Sequence, residues 1–361
     1  TKGWDSTAFG TMQGSETFLN VFVFFLIFAG IILDKMGVRF TAILSGAVML
    51  VGATINWYAL TDMFAGSNLE VWFNEHLNYI PGFDELGVSP FYKGMPASAK
   101  FSAIGFMIFG CGVEMAGITV SRGIVKWFKG REMALAMGSE MALARLGVAT
   151  CMIFSPMFAR LGGEVSVSRS VAFGVVLLMI ALIMFIVYAF MDKKLDSQTG
   201  EAEEKDDPFK LSDLGKILTD SGFWLVALLC VLYYSAIFPF QKYAVNMLQC
   251  NLVFHQVDPT SIWASNTITI IQYVIMLVVA ACAFASNFSK NKVAKYGLMG
   301  AAIVALVVFC YMGYMRQSAE TVFAVFPLLA VGITPILGNY VDHKGKAATM
   351  LVLGSLLLIF C

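Results

Sequence analysis

The chain has 361 residues, of which 58% are hydrophobic and only 13% are charged, and its formal net charge is zero. A soluble domain is about half apolar and a quarter charged, so this balance, with a mean hydropathy of +0.76, assigns most of the chain to a lipid bilayer. A chain without net positive charge is a poor nucleic-acid-binding protein. It has no Walker motif, no Rossmann fingerprint and no CxxC pair, so we expect no cofactor, no metal and no ATP-driven pump.

Apolar segments of about 20 residues predict membrane-spanning helices. Ten segments qualify: 16–33, 40–60, 101–121, 133–158, 169–191, 222–248, 261–286, 296–315, 320–341 and 347–361. The chain lacks an initiator methionine and stops inside the last apolar run. We therefore expect it to be truncated at both ends.

The loops between the spans alternate in charge. Most of the 24 lysines and arginines fall in loops on one side, which the positive-inside rule makes cytoplasmic. On the opposite side, residues 61–99 form a long loop for which a solvated loop is expected, the alternative being a partly ordered cap. The acidic stretch 192–220 reads as a cytoplasmic linker between an N-terminal bundle, 1–191, and a C-terminal bundle, 221–361.

Two short charged turns of similar design lie between spans, one in each half. The first contains Gly30, Asp34, Lys35, Gly37 and Arg39, and the second contains Gly338, Asp342, Gly345 and Lys346. Glycine allows a positive φ in such a turn, and aspartate can accept backbone hydrogen bonds or pair with a cation of a neighbouring helix. Repeated turns in two halves indicate duplicated construction, which is typical of transporters.

The first turn matches the pattern G-x-x-x-D-(R/K)-x-G-x-(R/K), the signature that follows the second helix in the major facilitator superfamily, and the chain resembles that family. The second turn departs from the pattern at His343 and Lys346. The segment 126–147 is similar to a narrower branch whose animal members are lysosomal dipeptide carriers.

The resemblance implies an all-α polytopic membrane fold of two pseudo-symmetric bundles. The bundles would hold family helices two to six and seven to eleven, so that helices one and twelve would be missing. An inserted hairpin, which would put the Asp342 turn after helix eight, is the alternative. Both turns would act as conformational latches at the cytoplasmic face.

Ionisable side chains within membrane spans are costly and mark candidate functional sites. Glu114 lies in the span 101–121, and Arg145 lies in the next span at a similar depth. A guanidinium can clamp a carboxylate and a glutamate can bind an ammonium, so this pair suits a zwitterion. The alternative is a structural salt bridge between the two.

Three further residues are candidates for the transport pathway. Glu140 is a candidate proton site, the alternative being an ion pair with Arg122 or Lys126. Tyr233 and Tyr234 either contact substrate or only pack.

These observations predict a secondary active or facilitative transporter, not an enzyme, that moves a dipeptide or amino acid by alternating access. An exchanger of organic anions or sugar phosphates using Arg145 alone is the alternative within transport. A non-transporting membrane sensor or intramembrane enzyme is the alternative of another class. We expect a monomer in a bacterial inner membrane, with a small-molecule substrate, a proton as candidate coupling ion, and no nucleic-acid partner.

Overall fold

The computed structural model describes residues 3–78, 91–128, 133–199, 215, 218–252, 260–289, 291–345 and 347–360. Within these residues the regular structure is helical throughout, without a strand. Eight helices are long and apolar enough to cross a membrane, and a shorter apolar helix covers Ala348–Ile359. The predicted all-α membrane fold is confirmed.

The helices follow one another in chain order. They are α1 Ser6–Ser15, α2 Phe18–Phe22, α3 Phe25–Ala59, α4 Asn68–His76, α5 Ala97–Trp127, α6 Met133–Ala159, α7 Val167–Thr199, α8 Ser221–Leu252, α9 Asn266–Phe288, α10 Lys292–Met315, α11 Ala319–Phe323, α12 Val325–Lys344 and α13 Ala347–Phe360. A short 3₁₀ turn, Ile262–Ala264, precedes α9.

The first two predicted spans lie on either side of Gly37, where the helical geometry is interrupted. Most of both lies in α3, which bends at Gly37 where φ is 79° and ψ is 168°. The predicted span 16–33 is not one helix, because α2 ends at Phe22 and Phe24 takes a left-handed φ of 54° before α3 begins. Nothing in the structure explains that φ at a phenylalanine.

The chain forms two compact units. One comprises Thr1–Gly123 and Phe158–Phe209, and the other comprises Ile124–Met157 and Lys210–Cys361.

In the first unit, α3 packs closely on α5 and α7 through glycines. A Cβ added to Gly105 of α5 would lie 2.7 Å from the carbonyl oxygen of Gly52, and one added to Gly46 would lie 2.9 Å from the Phe185 ring. Gly110 and Gly112 are equally crowded, whereas nothing lies within 4 Å of a Cβ at Gly117. Small residues thus allow the helices to approach, as is common in membranes.

The loop after α3 is partly ordered where it is described, so the expectation of a plain solvated loop was wrong. Phe64 and Phe73 are buried, and the Phe64 ring stacks on Phe101 of α5 with centroids 5.4 Å apart. Lys100 is buried below them and donates to the Phe73 carbonyl and the Asn78 side chain, both at 3.3 Å. Aromatic burial and a satisfied lysine therefore fix this part of the loop.

The second unit has an apolar core built by α6, α9, α10 and α12. Ala149 and Ile153 of α6 are buried together with Met276, Phe309 and Leu328. In the sequence-based division α6 belongs to the first bundle, and that division stays a prediction. The helix α7 runs to Thr199, so 192–199 of the predicted linker is helical, and 200–214 lies outside the described residues.

Candidate functional site

The first motif turn is the best defined polar site in the first unit. Gly37 has the positive φ that the pattern predicts, a conformation that side chains with a Cβ disfavour. The Asp34 carboxylate accepts a hydrogen bond from Nη1 of Arg122 at 2.7 Å, and Arg39 Nε donates to Asp192 Oδ2 at 2.8 Å. A second nitrogen of Arg39 contacts Asp196.

These ion pairs connect the two parts of α3 to α5 and α7. Asp192 is fully buried, whereas the side chains of Asp34 and Arg122 are each about a third exposed. Of the two alternatives considered for Asp34, the structure shows the pairing with a cation of a neighbouring helix. The sequence analysis did not single out Asp192 and Asp196 as partners of Arg39, although their spacing of four residues puts them on one helix face.

The two remaining positions of the first motif, Gly30 and Lys35, lie in open surroundings. Gly30 lies in α3 with open space where a Cβ would be, and Lys35 is exposed.

The second motif turn is only partly described. Gly345 follows α12 in a left-handed conformation, with φ 63°, and its N–H donates to the Val341 carbonyl at 2.8 Å. This is the usual way in which a glycine ends a helix. Gly338 lies within α12, while the side chain of Asp342 and all of Lys346 lie outside the described part of the chain.

The predicted substrate residue of the first unit is Glu114, which is exposed on α5. The carboxylate of Glu16, at the end of α1, lies close enough to repel it electrostatically. The Glu16 backbone packs directly against Gly110, one turn before Glu114. One turn after Glu16, the amide nitrogen and oxygen of Asn20 are buried without a hydrogen-bond partner among the described residues.

Glu16 and Asn20 were missed by the sequence analysis. The available signal was their polarity at the start of a predicted span. Their burial follows from the packing of α1 and α2 against α5, where Ser15 Oγ donates to the Ala103 carbonyl at 3.0 Å.

The candidates of the second unit lie on α6 and α8. Glu140 and Arg145 are half-buried on α6, and neither forms an ion pair with any residue whose structure is described. Tyr233 and Tyr234 are exposed on α8, where the Tyr234 ring stacks on Phe238 with centroids 5.0 Å apart. Because Glu114 and Arg145 fall in different units, their pairing stays a prediction.

A second polar network in this unit was not predicted. Arg316 donates to Gln272 Oε1 at 2.9 Å and to the hydroxyl of Thr269 at 2.6 Å. Gln272 is fully buried, and its amide nitrogen donates to the Phe309 carbonyl at 3.3 Å. The network satisfies polar groups that would otherwise be stranded in the core.

No group of three metal-ligating side chains occurs in the part of the chain that the structure describes. The helix α8 contains Pro239 within its length. It runs through this proline without a break. Prolines are tolerated in membrane helices where neighbouring groups satisfy the freed carbonyl.

Comparison with known proteins places these features in a family. The chain is 29% identical to the lysosomal dipeptide transporter MFSD1 of Gallus gallus over 145 residues, which are 38% of this chain and 32% of that protein. It is 30% identical to the MFSD1 of Danio rerio and 28% identical to that of Homo sapiens over similar stretches, 38% of this chain and 31% and 30% of those proteins. The matched stretch thus covers about a third of each of these curated relatives.

A family model extends the likeness well beyond that stretch. The model of the Major Facilitator Superfamily matches residues 1–319, most of the described helices and the complete first motif turn. The chain therefore belongs to the Major Facilitator Superfamily.

Proposed function

We propose that this chain carries small zwitterionic solutes, dipeptides or amino acids, across a membrane by alternating access. The observation that supports this most is a pair of opposite charges, Glu114 and Arg145, on two apolar helices in a protein of this family. Charges are retained at such positions when they bind a polar solute or an ion. The relatives that are named dipeptide transporters support the same class of substrate.

In this proposal each end of the substrate has its own partner. Arg145 would bind the carboxylate of the substrate through two parallel N–H···O bonds. Glu114 would bind the ammonium, and the neighbouring Glu16 carboxylate would strengthen the preference for a cation at that place. Tyr233 and Tyr234 would line the path with aromatic surface and hydroxyl groups.

Glu140 is the proposed proton site. It lies on the same span as Arg145, five residues away, which is about 140° around the helix. A half-buried carboxylate without an ion-pair partner among the described residues can exchange a proton as its surroundings change. Transport of substrate with a proton is therefore part of the proposal.

The test is uptake into proteoliposomes that contain the purified protein. A free dipeptide is compared with its N-acetylated form, which lacks the ammonium, and with its C-terminal amide, which lacks the carboxylate. We expect uptake of the free dipeptide alone, and at least a tenfold loss in Glu114→Gln and in Arg145→Gln. An inward proton gradient should accelerate uptake by the parent protein and not by Glu140→Gln.

Matched controls separate local from general effects. Glu75→Gln and Arg160→Gln make the same charge changes at exposed positions and should transport normally. Uptake of the N-acetylated peptide and of other organic anions with equal efficiency would favour the anion exchanger and exclude the zwitterion site. Absence of flux for every solute tested would favour a sensor or an intramembrane enzyme.

The expected monomer, the bacterial inner membrane and the cytoplasmic position of the motif loops stay predictions. Substituted-cysteine labelling from each side of a sealed membrane tests the orientation. Labelling of a cysteine at Lys35 from the outside only would contradict it.

A further inference from the structure

An apolar cavity of about 140 Å³ lies within the second unit, between α9, α10 and α12. Its walls include Val279 and Ala283 from α9, Met299 and Leu306 from α10, and Gly332 from α12. The one polar side chain in the lining, Ser286, donates its hydroxyl to the Ala283 carbonyl at 2.7 Å, within its own helix. The cavity suits hydrocarbon, because its walls expose almost no polar surface.

The cavity opens at the surface of this unit. Three residues of its lining, Ile303, Leu329 and Ile333, are 60%, 45% and 50% exposed. On the inner wall, a Cβ at Gly332 would lie only 3.1 Å from the Ala283 Cβ, so α9 and α12 pack closely there and close the cavity on that side. A flexible chain can therefore enter from the side.

Positive charge lies at one end of this opening. Lys292 and Lys295 precede Met299 by seven and four residues, a spacing that puts all three on one face of α10. Lys292 is exposed and Lys295 half-exposed, and neither forms an ion pair with a described residue. On α12, Lys344 follows the lining residue Ile336 by eight residues and is also exposed.

This arrangement matches the two chemical parts of a lipid. We infer that the groove between α9, α10 and α12 binds an anionic phospholipid, with one acyl chain in the cavity and the phosphate on Lys292 and Lys295. Basic side chains at the start of a membrane helix attract anionic headgroups, and a zwitterionic headgroup would bring its own cation towards them. The site lies in one unit and does not depend on the proposed transport.

The test uses the full chain, purified in detergent, stripped of lipid and titrated with lipids of identical acyl chains. Native mass spectrometry counts bound phosphatidylglycerol and phosphatidylcholine. We expect phosphatidylglycerol to bind about tenfold more tightly. The double variant Lys292→Gln/Lys295→Gln should lose that preference, and Ala302→Phe, which fills the cavity, should weaken binding of phosphatidylglycerol.

Two controls match these variants. Lys193→Gln/Lys194→Gln removes the same charge from exposed positions of α7, and Ala301→Phe adds the same ring at an exposed position beside Ala302. Both should bind phosphatidylglycerol as the parent does. If Ala302→Phe does not fold, the lysine double variant still tests the inference, through its loss of preference for the anionic headgroup.

Three results would overturn the inference. One is equal binding of the two lipids by the parent protein. Another is an equal loss of binding in the control variants, as expected for unspecific annular lipid. The third is displacement of phosphatidylglycerol by glycerol phosphate at equal concentration, which would show that the acyl chain contributes nothing.

Discussion

Two aspartates near the first motif turn illustrate how burial decides the value of an ion pair. Asp192 and Asp34 each bind one arginine at under 3 Å, but Asp192 is fully buried and Asp34 is a third exposed. Breaking a buried pair costs about 3–5 kcal/mol because it strands a charge, whereas exposed pairs contribute about 0–1 kcal/mol.

We therefore predict that Asp192→Asn lowers stability by about 2 kcal/mol, less than for a fully buried pair because Arg39 stays partly exposed and keeps Asp196. Asp34→Asn, the matched change in the exposed pair, should cost under about 1 kcal/mol. Thermal unfolding of the detergent-solubilised variants measures both. Equal losses would contradict the argument from burial.

The same residues show what the sequence can and cannot predict about a site. The motif pattern predicts that a glycine of the turn takes a positive φ, and it leaves two partners open for Asp34, backbone N–H groups or a neighbouring cation, since these follow from local chemistry. The identity of the cation, Arg122, depends on which helix faces the turn. Glu16 near Glu114 was missed for the same reason, because side chains far apart in sequence meet only through packing.

At the scale of elements, α5 offers a direct comparison between a crowded and an open glycine. A Cβ at Gly105 would meet the Gly52 carbonyl oxygen at 2.7 Å and the Asn56 nitrogen at 2.8 Å, both backbone atoms. A Cβ at Gly117, three turns further on, meets nothing within 4 Å.

We predict that Gly105→Ala separates α3 from α5 and destabilises the protein by roughly 1–3 kcal/mol, as overpacking does. Gly117→Ala should be neutral or slightly stabilising, because alanine is the better helix former. The measurement is the unfolding temperature of each variant in the same detergent. A larger loss for Gly117→Ala would mean that its open side is covered in the membrane.

The type of each element was predictable, because the length of an apolar segment alone distinguishes a membrane helix. For the long spans from residue 101 onwards, the predicted ends lie within several residues of the observed helix ends. Element ends were less predictable. The two helical parts of α3 meet at the non-helical Gly37, and α7 extends to Thr199, beyond the buried Asp192. The charged end of α7 looks like linker in the sequence, and its ion pairs with Arg39 are visible only in the structure.

For the molecule as a whole, the motif turns and the charges within the spans imply different tasks. Asp34 is bound by Arg122 beside the bend in α3, so its carboxylate already has a partner and is not expected to touch substrate. Within the proposed function it would control how readily the protein changes conformation. Glu114, in contrast, would contact the substrate directly.

These tasks can be separated by measuring affinity and rate in the same variants. A ligand that binds the folded state raises its unfolding temperature by mass action, so the shift with dipeptide reports affinity. We predict that Asp34→Asn keeps the dipeptide-induced shift of the parent protein but slows uptake several-fold, because a latch alters only the equilibrium or the rate between conformations. Glu114→Gln should abolish the shift and the uptake together. If Asp34→Asn lost the shift as completely as Glu114→Gln, the turn would have to be assigned to substrate binding, and the latch proposal would fail.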